Sequence, residues 1–345
     1  MNNVLITGGA GFIGSNFIEF YCNKYPNDKV VNLDLLTYAG NLENLKDISG
    51  NKNYVFYQGD ICDIKLVEKI INAHKINIII HFAAESHVDN SISSPDVFIK
   101  TNVNGTFNLL YGAYKIWFDE PFKAKVGFEN ALFYHISTDE VFGSLGEEGY
   151  FSESTPYAPN SPYSASKASG DMLVRSFHHT YGLNAVISNC SNNYGAKQHD
   201  EKLIPTIIRK ALNGENIPIY GDGKNVRDWL YVNDHCEAID KILHFALQSK
   251  GNFFDTFNIG GNEEWKNIDI ATLICEILDK KFPKAKSYKE QITFVKDRAG
   301  HDRRYAIDSS KLQKELRWKP KESFESGILK TIEWYVENTR IICEL

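Results

Sequence analysis

Tyr163 and Lys167 stand four residues apart in PYSASKASGD, a spacing that puts a phenol and an ammonium on one face of a helix. A tyrosine hydroxyl ionises at about pH 10 in water, so it acts as a base near neutrality only where positive charge favours its phenolate. Lys167 brings such charge, and an oxidised nicotinamide ring would bring more. A pair of this kind takes the proton of an alcohol while the carbon gives hydride to a cofactor. On its own a Tyr/Lys pair is commonplace. Here it follows FYHISTDEVFG, an apolar, β-branched run that ends in the hydroxyls of Ser137 and Thr138 and the adjacent carboxyls of Asp139 and Glu140. Two charged carboxylates buried together repel; held in different protonation states, they are an acid beside a base.

A third constellation opens the chain. VLITGGAGFIG reads as a strand, a glycine turn and the start of a helix whose first residues are Phe12 and Ile13. Gly9-x-Gly11-x-x-Gly14 fits the strict dinucleotide fingerprint, and Gly8-x-x-Gly11-x-x-Gly14 fits its variant in short-chain dehydrogenases. Both let the backbone approach a pyrophosphate and aim helix N-terminal amides at it. Asp34, at the end of the next strand, would accept hydrogen bonds from the adenosine ribose and repel a 2′-phosphate, which favours NAD over NADP. Asp60 and Ile61 follow the third strand toward the adenine edge. FAAESHVD, after the fourth, sets Ala83, Ala84 and Ser86 along the middle of the cofactor.

These residues need a scaffold that brings strand ends together. NVLIT, KVVNLD, NYVFYQGDI, INIIIHFAA, ALFYHIST and NAVISNCS are continuous apolar runs separated by helical patterns, which suits strands buried on both faces. The fold class expected is α/β: a Rossmann-like doubly wound parallel sheet with a smaller, mixed α/β C-terminal lobe that binds substrate. The division expected is residues 1–190 for the dinucleotide-binding part, with a returning segment at about 231–256, and 191–345 for most of the second lobe. Helices are expected near 203–213, 234–249, 269–280 and 323–338.

The bulk numbers narrow the function. The chain has 345 residues, 43% of them hydrophobic, and a formal net charge of −6, without the basic surface that a nucleic-acid partner needs. No run approaches a membrane span and the N-terminal stretch lacks a secretory pattern, so the expectation is a soluble cytoplasmic protein with no membrane partner. The six cysteines, Cys22, Cys62, Cys190, Cys236, Cys275 and Cys343, are scattered without CxxC spacing and read as buried free thiols. No His/Cys cluster offers a metal site.

With these motifs in hand, the chain resembles the extended short-chain dehydrogenases, and among them the dTDP-glucose 4,6-dehydratases, over nearly its whole length. The resemblance is carried by TGGAGFIGSNF, LTYAGNLENL, FAAESHVDNSI, STDEVFGSLG, SPYSASKASGD, NCSNNYG, EKLIP, PIYGDGKNVRDWLYVNDH and DRAGHDRRYAID. It implies NAD as cofactor, no metal, and a nucleotide sugar as substrate. It implies that Tyr163 takes the C4 hydroxyl proton with help from Thr138 and Lys167, that Glu140 removes the C5 proton, and that Asp139 protonates the departing C6 hydroxyl. It further implies that Ser86, His87, Asn192, Lys202, Leu203, Pro205, Arg227, Asn262 and His301 approach the substrate. By its chemistry Arg227 can fork onto a diphosphate, and Tyr220 can stack on a pyrimidine.

The chain departs from that pattern at GAKQHDEK (Gly195 to Lys202), where the family commonly reads Gly-Pro-Tyr-Gln-Phe-Pro-Glu-Lys. Phe142 stands where tyrosine is usual, and Leu35 where lysine is frequent. Two other readings compete: a nucleotide-sugar epimerase, for which the acidic pair has little use, and a non-catalytic NAD-binding regulator. The resemblance also implies a homodimer, with residues 97–118 and 163–181 as candidate faces.

Overall fold

The computed structural model describes residues 1–249, 251–297 and 300–343, and side chains as far as Asn338 in the last helix. Arg298 and Ala299 of DRAGHDRRYAID, the final residues of the 191–345 stretch and the Cys343 side chain lie outside that description.

The strands are β1 Asn3–Thr7, β2 Lys29–Asp34, β3 Tyr54–Gln58, β4 Ile78–His81, β5 Phe118–Glu120, β6 Lys123–Ala124, β7 Leu132–Thr138, β8 Ala185–Cys190, β9 Asn192–Tyr194, β10 Ile217–Tyr220, β11 Val226–Tyr231, β12 Phe254–Ile259, β13 Glu264–Lys266 and β14 Ile292–Val295. The α-helices are α1 Phe12–Lys24, α2 Ile64–Ala73, α3 Val88–Ser93, α4 Pro95–Phe98, α5 Thr106–Trp117, α6 Pro162–Tyr181, α7 Leu203–Asn213, α8 Val232–Gln248, α9 Asn267–Lys281, α10 Ser310–Leu316 and α11 Phe324–Cys343.

Seven strands pair in parallel in the order β12-β8-β7-β4-β1-β2-β3. Alternation along each strand sends side chains to two opposite cores. Val4, Ile6, Ile78, Ile80 and Tyr134 pack with α1 and α8, while Leu5, Val31, Leu33, Ile79 and Phe133 pack with α2, α5 and α6. Strand order reverses at β1, between β2 and β4, and ligands of such sheets bind beside the strand ends at that point. Beyond β8, Ser191 leads straight into β9, which joins a three-stranded sheet with β11 and β13. A separate core of α7, α9 and α11 residues, among them Ile207, Ile274 and Ile328, lies under it.

Three elements differ from the sequence expectation. NNY, just beyond the expected strand NAVISNCS, forms a strand of its own, β9, because its backbone finds partners in Trp229 to Tyr231. The returning stretch runs through α8 to Ile259, since β12 pairs with all six residues of β8. Residues 97–118, the candidate dimer face, are not one continuous helix: a π-helical turn over Ile99–Gly105 lies between α4 and α5. Among the described cysteines all five are free and four are buried; Cys62 is half-buried.

Candidate active site

The glycine turn sits between β1 and α1. Gly8 has φ +71, and a Cβ there would stand 2.6 Å from the Ala83 backbone; one on Gly14 would stand 2.3 Å from the Gly8 carbonyl oxygen. The turn can pack this tightly, and leave its outer side open for a pyrophosphate, only with glycine at these positions. Asp34 braces it, accepting from the Ala10 amide at 2.9 Å and the Leu36 amide at 2.8 Å. Each carboxylate oxygen keeps a further lone pair for a ribose hydroxyl. Asp60, Ile61, Ala83, Ala84 and Ser86 continue the same cleft along the strand ends. The residues present therefore fit an adenine dinucleotide.

At the other end of the cleft β7 delivers the acidic pair. Thr138 caps the short 3-10 turn Asp139–Phe142, its hydroxyl accepting from the Glu140 amide at 3.3 Å. The turn places the two carboxyls in different surroundings: Asp139 is 2% exposed and Glu140 half-buried. Burial first, then the charges of Glu140 and Asp228, hold the Asp139 carboxyl well above the usual carboxylate range, which favours its protonated form. Among the described residues its Oδ2 has no hydrogen-bond partner.

Helix α6 carries Tyr163 and Lys167. Ser161 and Ser164 close its N-terminus as a capping box with Pro162 in the first turn, and Gly182 at φ +78 ends it. Tyr163 is 9% exposed and Lys167 4%. Burial and then the charge of Glu140 push the Tyr163 phenol well up, while the Thr138 hydroxyl pulls it down. Ionisation of Tyr163 thus needs positive charge brought close to its hydroxyl.

One cleft of about 320 Å³ is lined by Gly8, Gly11, Phe12, Ile13, Gly14, Asp34, Asp60, Ile61, Ala83, Ala84, Ser86, Thr138, Asp139, Glu140, Tyr163, Lys167, Asn192 and Lys202. It joins the fingerprint to the catalytic constellation. Lys202 also donates to the Ser86 carbonyl at 2.9 Å, across the mouth.

Among the described residues, seven expected substrate contacts stand outside that lining. His87 caps α3 and lies 4.0 Å from Glu201. Leu203 and Pro205 begin α7, Tyr220 is an exposed end of β10, and His301 bonds Asp297 at 2.7 Å. Asn262 lines a second cavity with Tyr150, Asp228 and Asp308. Arg227 is 5% exposed: its Nη1 and Nη2 donate to the Val226 and Asp302 carbonyls at 2.8 and 2.9 Å, and its guanidinium lies 4.1 Å from the Tyr305 ring centre.

Sequence reasoning missed Thr37, Thr101, Asn193, Gln198 and His199 in the lining. It also missed Asn102, which bonds both the amide and the carbonyl of Glu85 and the Ser166 hydroxyl. No local pattern points to a residue whose partners are 17 and 64 positions away. The GAKQHDEK loop, without its prolines, is fastened instead by Asn16 to the Ala196 carbonyl at 3.0 Å, Lys197 to Glu19 at 2.5 Å, Gln198 to the Asn193 carbonyl, and Tyr335 to the Gln198 carbonyl.

The family model described as GDP-mannose 4,6 dehydratase matches residues 5–331. A dTDP-glucose 4,6-dehydratase of Xanthomonas campestris pv. campestris is 53% identical over 97% of this chain and 93% of its own length. This chain belongs to the dTDP-glucose 4,6-dehydratase family. The crystal structure of another such dehydratase, DesIV from Streptomyces venezuelae with NAD and TDP bound, superposes with a TM-score of 0.87 at 40% identity, covering 98% of each chain. UDP-glucose 4-epimerase from Thermotoga maritima has a TM-score of 0.83 but 29% identity, covering 98% of this chain and 99% of that one. The epimerases share the 4,6-dehydratase fold at a greater distance in sequence.

Proposed function

We propose that this protein is an NAD-dependent hydro-lyase that turns dTDP-glucose into dTDP-4-keto-6-deoxyglucose. The observation that carries the reading is the buried Asp139, its carboxyl held above the usual range, beside the half-buried Glu140 in the cleft that holds Tyr163 and Lys167. Gly8, Gly11, Phe12, Ile13, Gly14, Asp34, Asp60, Ile61, Ala83, Ala84 and Ser86 would hold NAD. When bound, NAD supplies a hydride acceptor for C4 and a hydride donor for C6.

Tyr163 takes the proton of the C4 hydroxyl, with Lys167 favouring its phenolate and Thr138 holding the C4 oxygen. The ketone so formed acidifies the C5 hydrogen, which Glu140 removes. Asp139 gives its proton to the C6 hydroxyl, and water leaves. Ser86, Asn192 and Lys202 orient the sugar and its diphosphate from the cleft wall. We assign His87, Leu203, Pro205, Tyr220, Arg227, Asn262 and His301 to the rest of the nucleotide site, and the substrate-binding lobe mainly to residues 191–345. This assignment of roles is supported by the chemistry of the side chains and by the family.

The exposed side chains of Val97, Ile99, Phe107, Tyr111 and Met172 support a homodimer through α4, α5 and α6. Among the described residues no helix is long and apolar enough to cross a membrane. The five free thiols suit a reducing, cytoplasmic location.

The test is to supply dTDP-glucose and, separately, UDP-, CDP- and GDP-hexoses, and to follow water loss by mass spectrometry. We expect dTDP-glucose to be dehydrated fastest, and Glu140→Gln to stop water loss while bound NAD is still reduced. Isomerisation of a sugar without water loss would replace this reading with an epimerase. Sedimentation of the wild type and Phe107→Glu tests the dimer, which the new charge should split.

A further inference from the structure

The mechanism leaves unused a buried acid one turn beyond Lys167. Asp171 is completely buried, and its i, i+4 spacing from Lys167 puts both on the face of α6 turned toward β7. Gly170 permits the close approach, since a Cβ there would stand 3.2 Å from His135 Nε2. One Asp171 oxygen accepts from three segments at once: Ser137 Oγ at 2.8 Å, the Tyr157 hydroxyl at 2.9 Å and Asn189 Nδ2 at 3.4 Å. The other faces His135 Nε2 at 3.3 Å without a hydrogen bond. Lys167 Nζ donates to the Ile136 carbonyl at 2.8 Å, one residue from Ser137.

We propose that Asp171 is the positioning residue of the Tyr163–Lys167 pair: a buried counter-charge, clamped by Ser137, Tyr157 and Asn189, that keeps Lys167 an ammonium against β7. The proposal rests on the function read above. Burial pulls Lys167 below its ordinary range, and the charge of Asp171, then Cys190 on β8, works against that pull. Burial likewise pushes Asp171 up to about 6, opposed by Lys167 and then by its three hydrogen-bond donors. His135, and His81 behind it on β4, are held well below their ordinary range by burial, so they carry no charge near neutrality. The other titratable groups facing the pair are Tyr157, half-buried and pushed up, Cys190, pushed up to about 12, and, toward the cleft, Tyr163, Asp139 and Glu140. Without Asp171 the lysine lacks the largest charge that works against its desolvation. It then loses its proton at lower pH, and Tyr163 loses the charge that favours its phenolate.

The experiment compares wild type with Asp171→Asn, which keeps the shape and an acceptor but removes the charge. Carbamylation of Lys167 by cyanate, read by peptide mass spectrometry across the alkaline range, reports the free amine without any turnover. We expect its midpoint to fall by about 1 to 3 pH units in the variant. The alkaline limb of the NAD-reduction rate with dTDP-glucose should move the same way while KM is unchanged. Tyr157→Phe, which removes one donor and retains the carboxylate, should move the acid limb of that rate upward, and it carries the test if Asp171→Asn does not fold. Variants whose limbs and labelling midpoint match wild type, or whose rate falls equally at every pH, would overturn the proposal and leave a packing role. Failure of the wild type itself to reduce NAD with dTDP-glucose would instead overturn the functional reading, and this proposal with it.

Discussion

Replacing Asp139 by Asn separates the two halves of the reaction. The asparagine has the same shape and still offers an oxygen to the Thr138 hydroxyl, which stands 3.4 Å from Asp139 Oδ1, but it has no acidic proton to give. Losing a general acid costs about 10²- to 10⁴-fold, or about 2.7–5.4 kcal/mol on the barrier to water loss. Oxidation at C4, which the proposed mechanism assigns to Tyr163 and Thr138, should stay within several-fold of wild type. In a rapid-mixing experiment with dTDP-glucose, the near-ultraviolet absorbance of reduced nicotinamide should therefore rise as before and then persist. A second readout tests the burial argument. The folded Asp139 keeps its proton where the unfolded chain has lost it, so its contribution to stability is full below the unfolded pKa of about 3.9 and falls as pH rises toward the folded value. The variant lacks that slope, and its melting temperature should gain on wild type from acid to neutral pH. Water loss within a few-fold of wild type would refute the assignment of the acid, and parallel melting curves would refute the buried proton.

Gly14→Ala puts a methyl 2.3 Å from the Gly8 oxygen and 2.8 Å from Gly9 Cα. Displacing the turn costs about 1–3 kcal/mol, and the NAD dissociation constant, measured by calorimetry, should rise about five- to 150-fold. Asp228, pushed up to about 6 from 3.8, loses about 3 kcal/mol of stability as pH rises between those values. Urea titrations of Asp228→Asn should lack that slope, although at low pH the variant is weaker for losing one of the bonds to the Gly261 and Glu263 amides. Lys197→Ala removes a partly exposed ion pair with Glu19, about 0.5–1 kcal/mol. Hydrogen exchange over residues 195–202 should speed up roughly two- to fivefold, and wild type in high salt should behave the same way.

What was legible in the sequence were the features written locally. The strand–glycine–helix opening, the i, i+4 Tyr163–Lys167 pair and the carboxyls at the end of β7 depend on residues near one another in the chain, and the structure gathers them in one cleft. Asp171 lay within reach of the same reasoning, since it extends the helical face of Tyr163 and Lys167. Other features depend on distant partners. The donors of Arg227 turn to the carbonyls of 302 and 303, and NNY becomes a strand only because β11 lies beside it. Which carboxyl holds the proton follows from burial, and burial is a property of the folded chain. The mutual repulsion apparent from the sequence is the second cause at Asp139, after desolvation.

The pairing of β12 with β8 sets a timetable for synthesis. As the chain leaves the ribosome, β8 appears with β7 on one side and nothing on the other. Its partners Phe254 to Ile259 are made only after β9, β10 and β11. Throughout that interval an apolar strand with an open row of amides and carbonyls is a template for pairing with another nascent chain. Production at high translation rates should therefore put this protein among those that need chaperone cover, and a gene fragment ending after Cys190 should give insoluble material rather than a separate cofactor-binding module.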